Sequence, residues 1–361
     1  MAEEPPGGFL TLSDLEEAAS KNALEPAWAY VQGGAGEKLT MKANREAFQR
    51  RTLRPRALVN VETLDLTSTL LGEKVSAPFY VSPTAYQGLL HADAELATAR
   101  AASSAEILAI FSTISSRSLE DIARAAPKGP RWFQLYFQPE QATTQRLVER
   151  AEKAGYTAIV LTVDAPVFGN RDTTILGGFN VSSIPLGNGP DVFPPTHPTA
   201  IDQLYHNRSE ASATWDTVDQ LRTLAHLPIL VKGILTSEDA QLALDHGAKG
   251  IIVSNHGGRQ LDQAQASLDA LPEIVETVGA NAAVYLDGGI RRGSDILIAL
   301  AMGAKAVGVG RPVLWALAAG GEAGVARLLS LLKEDLAIAM ALTGRRTIAE
   351  VDRTLLGTPI Q

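Results

Sequence analysis

The sequence predicts an α/β protein: a (β/α)8 TIM barrel with an N-terminal helical extension and a long loop after strand 4. Three observations carry this reading. Eight short apolar, β-branched runs recur from residue 78 onward. Amphipathic stretches of helical period separate most of them, as a parallel sheet requires. No run is followed by Gly-x-Gly-x-x-Gly, the mark of an open dinucleotide-binding sheet. A chain of 361 residues could hold one large barrel or two smaller domains. The regular alternation favours a single domain over 1–361, with the extension at 1–77 and the barrel at 78–345.

In chain order, residues 1–10 are expected to be disordered. Thr11 and Ser13 ahead of Asp14, Glu16 and Glu17 read as a capped helix start. A short helix is expected over 26–31, stopping at Gly33-Gly34, and another over 37–50. The eight strands are expected within 78–85, 107–113, 131–137, 157–164, 228–234, 250–256, 282–288 and 306–311. Helical stretches fall at 94–105, 118–126, 141–154, 237–246 and 294–302. One connection breaks the pattern. Residues 165–213 are long and rich in Gly and Pro, and are read as a mobile lid over a site, with plain disorder as the alternative.

Composition excludes several classes. Net charge is −8 with both signs interspersed, which argues against nucleic acid or an anionic membrane surface as partner. There is no cysteine, so disulfides, thiolate nucleophiles and cysteine-bound metals are excluded. The six histidines lack metal-ligand spacing. No apolar run approaches the ~20 residues that span a bilayer, and the acidic start is no signal peptide. A cytoplasmic protein is the expectation.

The strand ends carry the chemistry. In a barrel the C-terminal ends of the strands share one mouth, where reactive residues gather. Here those ends are polar: Pro83-Thr84-Ala85, Ser112-Thr113, Gln134-Leu135-Tyr136, Thr162-Val163-Asp164, Lys232, Ser254-Asn255-His256, Asp287-Gly288-Gly289 and Gly310-Arg311. His256 offers a proton acceptor near neutral pH. Arg259, three residues on, offers a planar fork for a carboxylate or phosphate. A base beside an anion clamp suggests deprotonation of a small carboxylic acid. Asp164 could hold the imidazolium that forms. Asp287-Gly288-Gly289-Ile290-Arg291 and Gly308-Val309-Gly310-Arg311 follow strands seven and eight, where barrels commonly bind phosphate. Lys232 could form a Schiff base with a carbonyl substrate or hold negative charge on a reduced cofactor ring. The residues alone do not separate these two roles.

The ordered set Phe133-Gln134-Leu135-Tyr136, Leu161-Thr162-Val163-Asp164, Val231-Lys232-Gly233, Ser254-Asn255-His256-Gly257-Gly258-Arg259-Gln260 and Asp287-Gly288-Gly289-Ile290-Arg291-Arg292-Gly293 resembles the FMN-dependent α-hydroxy acid oxidases and dehydrogenases. The resemblance covers about residues 11–350. It implies FMN as cofactor, a small 2-hydroxy acid as substrate and a 2-oxo acid as product. It implies His256 as general base, Asp164 as its partner, and Arg259 and Arg171 as clamps on the substrate carboxylate with help from Tyr30. It implies that Tyr136 bonds the substrate hydroxyl and that Lys232 lies against the flavin and favours its anionic reduced form. Pro83, Thr84, Ala85, Ser112, Gln134, Thr162 and Ser254 would contact the flavin. Asp287, Gly288, Gly289, Arg291, Gly310 and Arg311 would hold its phosphate. Oligomers, tetramers or octamers, are usual in such a family.

Ile114 stands near where glycolate oxidase-like members tend to carry Trp, which leaves room for larger aliphatic or aryl acids. Tyr86-Gln87 resembles the hydroxymandelate oxidase branch. Residues 165–213 lack a long apolar insertion, in favour of an oxidase reoxidised by O2 to give H2O2. A dehydrogenase using a quinone or another acceptor is the alternative. A Schiff-base barrel enzyme acting through Lys232 and a catalytically silent FMN-binding protein are the remaining ones.

Overall fold

The computed structural model describes residues 8–138, 140–178, 186–189, 192 and 213–358. Three helices lead in: α1 (Leu12–Asn22), α2 (Glu25–Gln32) and α3 (Leu39–Gln49). Thr11 caps α1 reciprocally with Asp14, as the Ser/Thr-then-acid pattern implies. Helix α3 starts later than its pattern suggests, because Lys38 takes a left-handed conformation (φ 64°). Its open N-terminus is capped from far along the chain: Thr40 N donates to Asp262 Oδ1 at 2.9 Å. The extension is not wholly helical. It ends in an antiparallel hairpin, β1 (Ser68–Leu70) and β2 (Glu73–Val75).

All eight expected strands form: β3 (Phe79–Val81), β4 (Leu108–Ser112), β5 (Arg131–Leu135), β6 (Ile159–Thr162), β7 (Ile229–Ile234), β8 (Gly250–Val253), β9 (Ala283–Asp287) and β10 (Ala306–Val309). They pair in parallel and in chain order, and β10 closes on β3. The helices between them are α4 (Glu95–Ser104), α5 (Leu119–Ala125), α6 (Gln141–Lys153), α7 (Asp172–Leu176), α8 (Trp215–Leu224), α9 (Ser237–Asp245), α10 (Ser267–Val278) and α11 (Gly293–Ala301). Helix α12 (Arg311–Thr343) follows β10, breaks at Gly320-Gly321 and packs against α1, α4 and α11.

The strands are buried on both faces, so they read as unbroken apolar runs rather than alternating ones. Their outward side chains meet the helices. Their inward ones, including Tyr80, Ile110, Trp132, Val160, Leu230 and Tyr285, fill the barrel. Tyr285 meets Trp132 edge-on at 5.7 Å and Tyr80 at 6.1 Å. Leu70 and Val75 of the hairpin join this cluster and plug the end remote from the mouth. Of the expected lid, residues 165–178, 186–189, 192 and 213 are described, including α7. The remainder lies outside the described residues.

One buried carboxylate ties the first loops of the mouth together. Glu95, the first residue of α4, is fully buried. Its Oε1 accepts from Gln87 N (3.2 Å) and Ser116 N (2.9 Å), and its Oε2 from Arg117 N (3.2 Å). Burial pushes its pKa up, against the downward pull of these backbone bonds. Replacing Glu95 with Ala strands three backbone N–H groups. It should cost about 3 kcal/mol or more, read as a lower midpoint in urea unfolding.

Candidate active site

The mouth is built around a buried carboxylate. Asp164 lies just past β6, and its Oδ1 sits 2.7 Å from His256 Nδ1. Its Oδ2 lies 3.8 Å from Lys232 Nζ. Lys232 also donates to Ser254 Oγ (2.9 Å) and lies 3.5 Å from Asp287 Oδ2. Two backbone features bring these groups together. Gly233 (φ 111°) sits where the pairing of β7 with β8 shifts register. A Cβ there would fall 2.5 Å from Asp164 Cβ, so only glycine leaves room for the carboxylate beside the lysine. His256 itself is left-handed (φ 58°), an unfavoured state for a residue with a Cβ. Its N–H donates to Ser254 Oγ at 3.0 Å, which holds that turn.

The electrostatics follow. Burial pushes Asp164 up, but His256 and Lys232 more than offset it and leave the carboxyl below its ordinary range. Burial pushes Lys232 down, yet Asp287 and Asp164 outweigh that and keep it charged. For His256 burial prevails over the attraction of Asp164, so its pKa lies below the ordinary histidine value. The imidazole is therefore neutral at neutral pH, with Nδ1 engaged by a carboxylate. Its other nitrogen can then accept a proton.

Arginines line the next layer. Arg259 donates to the carbonyls of Tyr30 and Gly33, both at 2.8 Å, and lies over the Tyr30 ring at 4.8 Å. Arg171 donates to Arg259 O (2.9 Å) and Gln260 Oε1 (2.7 Å). Burial and the charge of Arg259 lower the pKa of Arg171 to about 10. Gln260 holds the crossing of these loops, donating to the carbonyls of Asp164 (3.0 Å) and Val167 (2.8 Å). Arg311 opens α12 and donates to Val31, Gly257 and Gly33 carbonyls at 3.1, 2.9 and 2.9 Å. Burial and the neighbouring arginines push its pKa far down. Arg291 stacks over Trp315 at 4.7 Å, and burial lowers its pKa to about 10.

The other expected residues fall around the same mouth. Ser112 Oγ donates to Gln134 Oε1 (2.9 Å), and Gln134 Nε2 donates to Thr162 Oγ1 (3.1 Å), a polar ladder across three strand ends. Pro83, Thr84 and Ala85 follow β3, with Thr84 Oγ1 accepting from Gln87 Nε2 (3.0 Å). Gly288 (φ 100°) and Gly289 (φ 90°) turn the chain after β9, and Gly310 precedes α12. Tyr136 joins Ile114 and Ala165 in a small apolar cluster, with Ala85, Tyr86 and Leu186 packed on it. Tyr86 meets Tyr30 edge-on at 5.8 Å.

Supporting residues that the sequence reading passes over also emerge. Asn44 of α3 and Asn255 exchange two amide bonds of 2.8 Å each. Asn255 also accepts from Gly258 N (3.1 Å), so the pair braces the turn that carries His256. The position of Asn255 inside the Ser-Asn-His motif is its only sequence signal; Asn44 has none.

The chain matches the family model described as FMN-dependent dehydrogenase over residues 19–358. It belongs to that family. It is 44% identical to an L-lactate oxidase from Nostoc sp. (strain PCC 7120 / SAG 25.82 / UTEX 2576) over 96% of this chain and 98% of the relative. It is also 44% identical to 2-Hydroxyacid oxidase 2 from Homo sapiens, again over 96% and 98%. A crystal structure of mandelate oxidase with (S)-4-hydroxymandelic acid superposes with a TM-score of 0.90 at 41% identity, covering 97% of this chain and 98% of that one.

The residues of the mouth fit FMN. Ser82 Oγ, Asp164 Oδ2, Asp287 Oδ1 and Arg259 Nη2 are buried without a hydrogen-bond partner among the described residues. Arg311 is half-buried among carbonyls, and no carboxylate pairs with it among those residues. Buried cations need an anion, and a phosphorylated ring cofactor brings both the anion and a polar rim.

Asp164→Asn keeps the shape of this centre and removes its negative charge. It should lower kcat/KM by roughly 10²–10⁴-fold, in line with carboxylates that orient a histidine base, as measured by steady-state kinetics. Because burial depresses the His256 pKa, the acid limb of the pH profile of kcat/KM should fall below the usual histidine value of about 6.5. Activity should decline only as the pH drops through that limb.

Proposed function

We propose that this protein oxidises an (S)-2-hydroxy acid to the 2-oxo acid with FMN, and that O2 then accepts the electrons to give H2O2. The observation that carries this reading is the His256–Asp164 pair at 2.7 Å beside Arg259 and Arg171, whose loops are bonded to each other. A base next to two guanidinium groups suits a substrate that carries a carboxylate and an acidic hydrogen on adjacent carbons. The names of the relatives, which act on lactate, 2-hydroxy acids and mandelate, agree with it.

In this reading Arg259 and Arg171 bind the carboxylate in forked contacts, and the Tyr30 hydroxyl supports them. Fixing the acid by its carboxylate presents its second carbon to the catalytic groups, converting binding energy into orientation. Neutral His256 takes the proton, and Asp164 stabilises the imidazolium. Tyr136 bonds the substrate oxygen as charge develops there. FMN, when bound, supplies the acceptor for the two electrons that leave the acid. Lys232 keeps a positive charge at the floor of the mouth. Ser112, Gln134, Thr162, Ser254 and the Pro83-Thr84-Ala85 turn would contact the flavin, while Arg291, Arg311 and the Gly288-Gly289 and Gly310 turns would hold its phosphate. Asp287, set against Lys232, would hold that lysine rather than the phosphate. The acid loses two electrons and two protons, and O2 gains both to become H2O2. No described helix is long and apolar enough to cross a membrane. Exposed Leu58, Ile338 and Leu342 suit contact between copies of the chain, as in a tetramer or octamer.

The test is the visible spectrum of the purified protein, mixed without air with L-lactate and then with L-mandelate. Bleaching by an acid, followed by fast recovery of colour and peroxide in air, is expected. Slow recovery would replace the oxidase by a dehydrogenase with another acceptor. A protein that takes up no FMN would overturn the reading. His256→Ala should keep the colour and slow bleaching by about 10²–10⁴-fold.

A further inference from the structure

Gly187 and Asn188 follow Leu186 directly, and between them they dock residues 186–189 onto the barrel. Asn188 is 3% exposed. Its Nδ2 donates to Thr113 O at 2.8 Å and Ser112 O at 3.4 Å, and its Oδ1 accepts from Leu119 N at 3.0 Å. One amide thus bridges the end of β4 and the first turn of α5. Its own carbonyl accepts from Arg150 Nη1 at 2.7 Å, and that arginine is held in a fork by Glu120 at 2.7 and 2.9 Å. Gly187 donates to Ser115 O at 2.8 Å. A Cβ on Gly187 would fall 2.0 Å from the Arg117 carbonyl carbon, so the approach admits no side chain there. The backbone they dock on is the stretch fixed by Glu95 through Ser116 and Arg117.

The consequence is felt at Leu186. It packs on the cluster of Ile114, Tyr136 and Ala165, joined there by Tyr86. That cluster adjoins the arginine layer through Tyr86, Tyr30 and Arg259. An apolar wall next to a carboxylate clamp receives the part of the acid that is not the carboxylate.

We propose that Asn188 is a positioning residue that sets the size of the side-chain pocket by holding Leu186 against Tyr136 and Ile114. The inference rests on the reading of the enzyme as a 2-hydroxy acid oxidase and adds what selects among such acids. Asn188 touches neither the catalytic pair nor the arginine clamp in the hydrogen bonds it makes. Its effect therefore falls on discrimination between acids, not on the removal of the proton.

The experiment compares kcat/KM for L-mandelate and L-lactate in FMN-loaded protein, with the ratio of the two as readout. Leu186→Ala removes the wall and should shift the ratio toward mandelate by about tenfold or more, since one methylene in an apolar pocket is worth at least that. Asn188→Ala should move it the same way by a similar factor with FMN content unchanged. The double variant should move it no further than either single one, since both act through one contact. Asn188→Asp retains the acceptor for Leu119 N but gains a donor toward Thr113 O only when protonated. Its ratio should return toward wild type as the pH falls, and the ionisation of His256 cancels in that ratio. A ratio within twofold of wild type in Asn188→Ala would overturn the proposal, whatever Leu186→Ala does. If Asn188→Ala does not accumulate as holoprotein, Asn188→Asp decides by whether its ratio depends on pH, since it keeps the acceptor for Leu119 N and loses the donor to Thr113 O. A wild-type protein that bleaches with no 2-hydroxy acid would instead overturn the oxidase reading.

Discussion

The structure turns on a carboxylate placed where it cannot stand alone. An unpaired charge at the depth of Asp164 would cost several kcal/mol. His256 and Lys232 offset that from two sides. Those three groups come from β6, β7 and the turn after β8, so the arrangement exists only when neighbouring strands keep register. The left-handed turn at His256 and the glycine beside Lys232 are local concessions to the same geometry. Removing Lys232 would leave the Asp164 and Asp287 carboxylates without their cation, and removing His256 would take away the hydrogen bond that Asp164 holds, which is why the site behaves as a unit.

Around this centre the protein uses backbone carbonyls to restrain guanidinium groups. Arg259 and Arg311 share the Gly33 carbonyl, and each takes a second carbonyl from α2. Carbonyls hold an arginine without neutralising it, so the positive charge stays available to an anion. An aspartate in their place would have bonded as well and cancelled the charge. Asn44 and Asn255 follow the same logic, since a paired amide braces the histidine turn without adding a charge near it.

The barrel was legible because parallel strands covered on both faces become continuous apolar runs, and each of the eight ended in polar residues. The family resemblance named the expected site residues on those ends, and these lie around one mouth of the barrel. What stayed illegible shares one property. Asn44 lies 211 residues from Asn255, Glu95 reads as an ordinary acid at a helix start, and Asn188 sits in a stretch without period. Each is a lone polar side chain whose partners are backbone groups or distant amides, and neither leaves a local pattern. The short hairpin at 68–75 escaped for a related reason: three-residue strands such as Ser-Thr-Leu are too brief for alternation to show.

The carbonyls of α2 also set an order of events. Tyr30, Val31 and Gly33 leave the ribosome early, whereas Arg259 and Arg311 are made near the end of the chain. The first segment translated must wait for the last barrel strands before its contacts exist. Nascent α2 is thus a client of sequence not yet synthesised, and the arginine layer is among the last parts of the molecule to be assembled. A barrel cut free of its leading helices would leave Arg259 without the carbonyls of Tyr30 and Gly33, and Arg311 with only that of Gly257.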